Sequence, residues 1–119
     1  MSGGERFLCR LDAIADGGGK GFWFGADTNR YGVFVLRRGD GVVAYENACP
    51  HRGTPLDFQP DRFLDRTGRL ILCATHGALF RIADGFCVAG PCPGARLKPV
   101  TVAVRDGALY LTVNGATPG

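Results

Sequence analysis

Two short motifs constrain this chain more than anything else in it. Its only two histidines each stand beside a cysteine, in Cys49-Pro50-His51 and in Cys73-Ala74-Thr75-His76. Together they offer two thiolates and two imidazoles, a donor set suited to a transition metal. Residues 52–72 separate the half-sites, so the chain must fold back on itself to unite them. A lone histidine would read as an ordinary core residue, but both falling in matched motifs removes that reading.

Two cysteines and two histidines can close a tetrahedral zinc shell. They can also bind a 2Fe-2S cluster, with the cysteines on one iron and the histidines on the other. Zinc motifs usually pair cysteine with cysteine and histidine with histidine. Here each knuckle is mixed and lies among glycine-rich strands, which favours the cluster. The flanking residues agree. Cys-Pro-His-Arg-Gly (49–53) and Cys-Ala-Thr-His-Gly (73–77) resemble the two cluster-binding loops of Rieske proteins, and Gly90-Pro91 resembles the proline-containing loop that covers the cluster. The resemblance spans about residues 30–113 and is strongest to small soluble Rieske ferredoxins. It implies one 2Fe-2S cluster per chain, held by Cys49, His51, Cys73 and His76. The fold it implies is all-β, an antiparallel β sandwich with a loop-rich cluster-binding subdomain at about 47–92, and residues 1–119 form a single domain. The separation of His51 from Cys73 exceeds the commonest Rieske spacing, a departure that bears on loop geometry.

The rest of the composition narrows the class. A chain of 119 residues can bury a core without disulfides. Of five cysteines, Cys9, Cys87 and Cys92 remain outside the motifs. An odd total argues against a disulfide framework. Cys9 and Cys87 fall in strand-like segments, as small buried hydrophobes do, and Cys92 follows Pro91 in the presumed cover loop. The net charge is a mild +3, without the basic and aromatic ladder of nucleic-acid binders. Arg52, Arg81, Arg96 and Lys98 lie in segments expected near the cluster end. No apolar run reaches membrane-spanning length, and the first residues do not read as a secretory signal. These features point to a cytoplasmic protein with neither nucleic acid nor membrane as partner.

Short strands punctuated by glycine turns, with no amphipathic helix, make up the remainder. Residues 7–11 read as a first strand. Residues 32–38 and 42–45 flank Gly39-Asp40-Gly41 as a hairpin, residues 79–82 and 86–88 flank Asp84-Gly85, and residues 100–105 and 108–113 flank Asp106-Gly107. Alternation of Val100, Val102 and Val104 turns one face inward. The motifs follow directly on residues 42–45 and 69–72, so strands would anchor the ligands. Residues 55–65, with Leu56, Phe58, Phe63 and Leu64, read as a packed connector; Asp57, Asp61 and Asp65 within and beside it read as turn residues. Phe22-Trp23-Phe24 must alternate faces, chiefly for core packing. Gly53 and Gly77 suit tight wrapping of a metal group. Gly17 to Gly19 read as a loop and 114–119 as a frayed tail.

The Rieske resemblance also sorts the chain by potential. High-potential members join their two loops by a disulfide and present serine and tyrosine hydroxyls to the cluster sulfurs. The matching positions here are Thr54 with Ala74 or Thr75, and then Ala78 and Phe80. Without those donors reduction is disfavoured, which places the potential low, near about −150 mV. The resemblance implies a ferredoxin that carries single electrons from a reductase to an oxygenase or other terminal oxidoreductase, and no enzyme in its own right. A Rieske electron-entry subunit like the small subunit of nitrite reductase, and a non-catalytic metal-binding or redox-sensing domain, are the alternatives.

Overall fold

A strand buried on both faces organises the molecule. In the computed structural model, which describes residues 3–24, 31–48, 56, 63–73, 77–90 and 95–114, that strand is β3 (Tyr31–Arg38). It lies between β2 (Gly19–Phe24) and β4 (Gly41–Glu46) in an antiparallel sheet of order β2-β3-β4. Val33, Val35 and Ala44 face one core with Ile14 and Leu109, while Phe34, Leu36 and Tyr45 face another. Strand side chains alternate between faces, so an uninterrupted run from Val33 to Leu36 buries both at once.

The first core is closed by a sheet of order β1-β9-β8, built from β1 (Gly3–Arg10), β8 (Val102–Arg105) and β9 (Ala108–Asn114). A bulge between Phe7 and Cys9 interrupts its β1-β9 register. The second core is closed by a smaller sheet of order β5-β6-β7, from β5 (Leu70–Leu72), β6 (Leu79–Arg81) and β7 (Cys87–Ala89). Leu56 and Phe63 join this second core, as expected of the connector; Phe58 lies outside the described residues. Phe63 stacks on Phe34 with ring centroids 4.4 Å apart and planes 9° from parallel. That stack fastens the β5-β6-β7 sheet to the central one.

All three expected hairpins are present, with Gly39, Gly85 and the Asp106-Gly107 pair in the positive-φ region their turns demand. Leu11–Ala13 forms a single 3-10 turn, the one helical segment among the described residues. The valine alternation holds only in part. Val100 and Val102 pack against the first core, but Val104 is 38% exposed. In the aromatic group Phe22 and Phe24 pack inward, and Trp23 on the opposite face lies over Gly32, where an added Cβ would come within 2.6 Å of its ring. Cys87 is buried as expected; Cys9 is only partly so and is a free thiol, pushed up in pKa by its partial burial.

The Phe34–Phe63 stack generates a stability prediction. Phe63→Ala is expected to cost about 3–5 kcal/mol, read as a shift in the urea midpoint by the fluorescence of Trp23, the chain's sole tryptophan. A cost under about 1 kcal/mol would show that the stack does not couple the sheets.

Candidate metal centre

The second motif starts where β5 ends. Cys73, the residue after Leu72, is fully buried beside Ala78, Phe80 and Cys87. Its backbone N–H donates to the Ala78 carbonyl at 2.9 Å, and its own carbonyl accepts the Gly77 N–H at 2.7 Å. Residues 73–78 are thus closed at their base by two backbone hydrogen bonds as the chain passes from β5 to β6. Gly77 takes φ 74 there, the left-handed conformation that glycine adopts without a Cβ penalty. His76, the motif's second donor, lies outside the described residues, as do Cys49 and His51 of the first motif and Arg52, Gly53, Thr54 and Cys92. Of the four candidate ligands the structure therefore describes Cys73.

The first motif leaves β4 through Asn47, whose N–H donates to the Gly32 carbonyl at 2.8 Å. Beyond the motif the chain returns at Leu56, fully buried in the second core. β4 and β5 are held in one body by the Phe34–Phe63 stack and by Tyr45, whose hydroxyl donates to the Ile82 carbonyl at 2.6 Å. Burial pushes the Tyr45 phenol pKa up, with the Asp84 carboxylate adding to the effect. Neither Asn47 nor Tyr45 stands out in the sequence, since each acts through a contact with a residue well removed along the chain.

A third segment presses on the second motif. The β6-β7 register shifts between Leu79 and Phe80, Val88 is 47% exposed, and the chain reaches Gly90 at φ 101. A Cβ at Gly90 would stand 2.6 Å from the Ala78 Cα, so only glycine allows the approach. Pro91 lies outside the described residues. Ala78 and Phe80, expected in place of hydroxyl donors, are both fully buried.

The charges nearby are partly spoken for. Arg81 lies over the Phe86 ring and donates from Nε to Asp84 at 3.0 Å. That guanidinium, with the Phe86 N–H, holds the Asp84 carboxyl below the usual carboxylate range. Arg96 and Lys98 are exposed. Asp65 is the turn residue expected, accepting from the Thr67 hydroxyl at 2.7 Å, which lowers its pKa.

Two predictions follow from this geometry. Gly90→Ala should destabilise the fold by about 1–3 kcal/mol in chemical denaturation, since strain and a backbone clash coincide, while Gly39→Ala, at φ 65 in open space, should cost less. Asp84 has a depressed folded pKa, so its contribution is present above the ordinary carboxylate pKa and is lost as pH falls through the folded value. Asp84→Asn should accordingly lower the thermal midpoint at neutral pH, with the gap from wild type closing in acid. A gap independent of pH would assign the loss to something other than the ionised carboxylate.

Comparison with known proteins places these features. Residues 8–107 match the family described as Rieske [2Fe-2S] domain. The iron-sulfur subunit of menaquinol:cytochrome c reductase from Bacillus subtilis (strain 168) is 30% identical over 89 residues, covering 75% of this chain and 50% of that protein. The chain thus spans about half the length of the curated relative it matches. The ferredoxin of carbazole 1,9a-dioxygenase from Nocardioides aromaticivorans IC177 superposes with a TM-score of 0.68 at 25% identity, over 90% of this chain and 95% of that one. A chain in a complex of reduced oxygenase and oxidized ferredoxin of carbazole 1,9a-dioxygenase gives 0.70 at 24% identity over 97% and 96%, a likeness of fold. Among the described residues no helix is long and apolar enough to cross a membrane. On the match over residues 8–107, the chain belongs to the Rieske 2Fe-2S domain family, whose members bind a 2Fe-2S cluster and act as electron-transfer components of oxidoreductase systems.

Proposed function

We propose that this chain is a soluble, cytoplasmic, low-potential Rieske ferredoxin, a single domain that carries one electron at a time from a reductase to an oxygenase or other terminal oxidoreductase. The observation that carries this reading is the superposition on a ferredoxin of carbazole 1,9a-dioxygenase, 90% of this chain on 95% of that one. Cys49, His51, Cys73 and His76 are the residues that would hold the cluster. The donor set fits, with two thiolates and two imidazoles. So does the site at Cys73, where a buried sulfur-bearing side chain opens a glycine turn and lies within an apolar wall. When bound, the cluster supplies reversible one-electron exchange at its histidine-ligated iron.

The chain's own residues do the rest. Phe80, Ala78 and Leu97 keep water from the Cys73 side of the site, and a low dielectric there penalises added charge. Neither Ala78 nor Phe80 can donate a hydrogen bond from its side chain, which disfavours the reduced state further. Backbone bonds from Cys73 to Ala78 and from Gly77 to Cys73 hold the residue that bears the sulfur at the end of β5.

A second reading has its own support. The curated relative is a subunit of a reductase complex, and a fixed electron-entry subunit would use the same fold. Such a subunit would co-purify in stoichiometric complex, whereas a carrier would elute alone and bind its partners transiently.

The test is EPR of anaerobically purified protein before and after dithionite, with iron and zinc assayed on the same sample. The expected result is a Rieske-type signal that appears on reduction, about two irons per chain, and a midpoint near about −150 mV by protein-film voltammetry. One zinc and no signal would overturn the carrier reading, and a midpoint near about +300 mV would overturn the low-potential assignment.

A further inference from the structure

The two motif-bearing loops are closed in different ways. The second has two backbone bonds at its base, Cys73 N–H to the Ala78 carbonyl and Gly77 N–H to the Cys73 carbonyl. The first is tied by a side chain. Asn47 Oδ1 accepts the backbone N–H of Leu56 at 2.7 Å, nine residues along the chain. Cys49 and His51 both lie between those two points.

We propose that Asn47 is a positioning residue for the first metal-binding loop, fixing the separation of its two ends and through it the placement of Cys49 and His51. The inference rests on the ligand assignment proposed above. Asn47 is 4% exposed and is the one buried polar side chain among the described residues. A buried amide is retained where its bonding is needed, because desolvating it is otherwise unfavourable. Its backbone is fixed independently, by the N–H bond to Gly32 in β3. Leu56 is fixed as well, since its side chain is fully buried in the second core. The hydrogen bond therefore joins two points that are already anchored, one on each side of the motif. Water cannot substitute for it, since Leu56 is fully buried and the bond is shielded from solvent. A shorter side chain leaves the buried Leu56 N–H without this acceptor and removes the direct tie between the two anchored ends of the loop.

The test compares Asn47→Ala, Asn47→Asp and a control, Leu109→Ala, in the cluster-loaded protein. Leu109 is fully buried in the other core, remote from either motif in the sheet order. Three quantities are read: iron release to a chelator, the width of the reduced EPR signal, and the thermal midpoint. Asn47→Ala is expected to release iron about 10-fold faster or more, on the scale of outer-shell partners of metal ligands, and to broaden the signal. Asn47→Asp retains an oxygen acceptor and should recover most of the wild-type behaviour. Leu109→Ala should lower the midpoint while leaving release and line shape as in wild type. Asn47→Ala matching Leu109→Ala in release and line shape would overturn the proposal. If Asn47→Ala does not accumulate, hydrogen exchange of wild type decides: the Leu56 amide should be among the slowest, and a freely exchanging Leu56 amide would overturn the proposal. Wild type without a Rieske-type signal would instead defeat the cluster reading itself, so the two failures are separable.

Discussion

The burial of β3 on both faces is the constraint on which everything else depends. Val33 and Val35 require a sheet on one side, and Phe34 and Leu36 require a second on the other. Three thin sheets of three strands each therefore share one central layer. A three-residue strand such as β5 has little stability of its own. It persists because Ile71 and its neighbours bury against Phe34 and Phe63. The rigidity of the site at Cys73 is thus borrowed from the central strand, through one stacked aromatic pair and one tyrosine hydrogen bond.

Around the site, glycine and alanine matter as much as donors. Gly90 approaches the Ala78 backbone to a distance no Cβ would allow, and Gly77 turns the chain directly after the second motif. Small residues let the Gly90 and Ala78 segments approach closely, and large apolar ones behind them keep the local dielectric low. Arg81 is engaged by Asp84 and Phe86, leaving Arg96 and Lys98 as the exposed cations of that region among the described residues.

Much of this was legible in the residues themselves. Hairpins at Gly39, Asp84-Gly85 and Asp106-Gly107 follow from turn chemistry, which acts over four residues and needs no tertiary context. The burial of Leu56, Phe63 and Cys87 follows from side-chain type. Val104 escaped this logic because alternation says which face a residue is on but not whether anything covers that face. The three short strands beside the second motif fall within a residue or so of the segments expected from strand propensity and the Asp84-Gly85 turn.

The sequence by itself determined the family and the positions of the turns, because these are properties of residue type and short-range spacing. Only the tertiary structure decided which backbone segments meet: Gly90 on Ala78, Phe63 on Phe34, the Tyr45 hydroxyl on Ile82 and the Asn47 amide on Leu56. The physical reason is that each of these contacts joins elements distant along the chain or turned by irregular loops. Their geometry is set by the packing of whole sheets and not by any local preference of the residues involved.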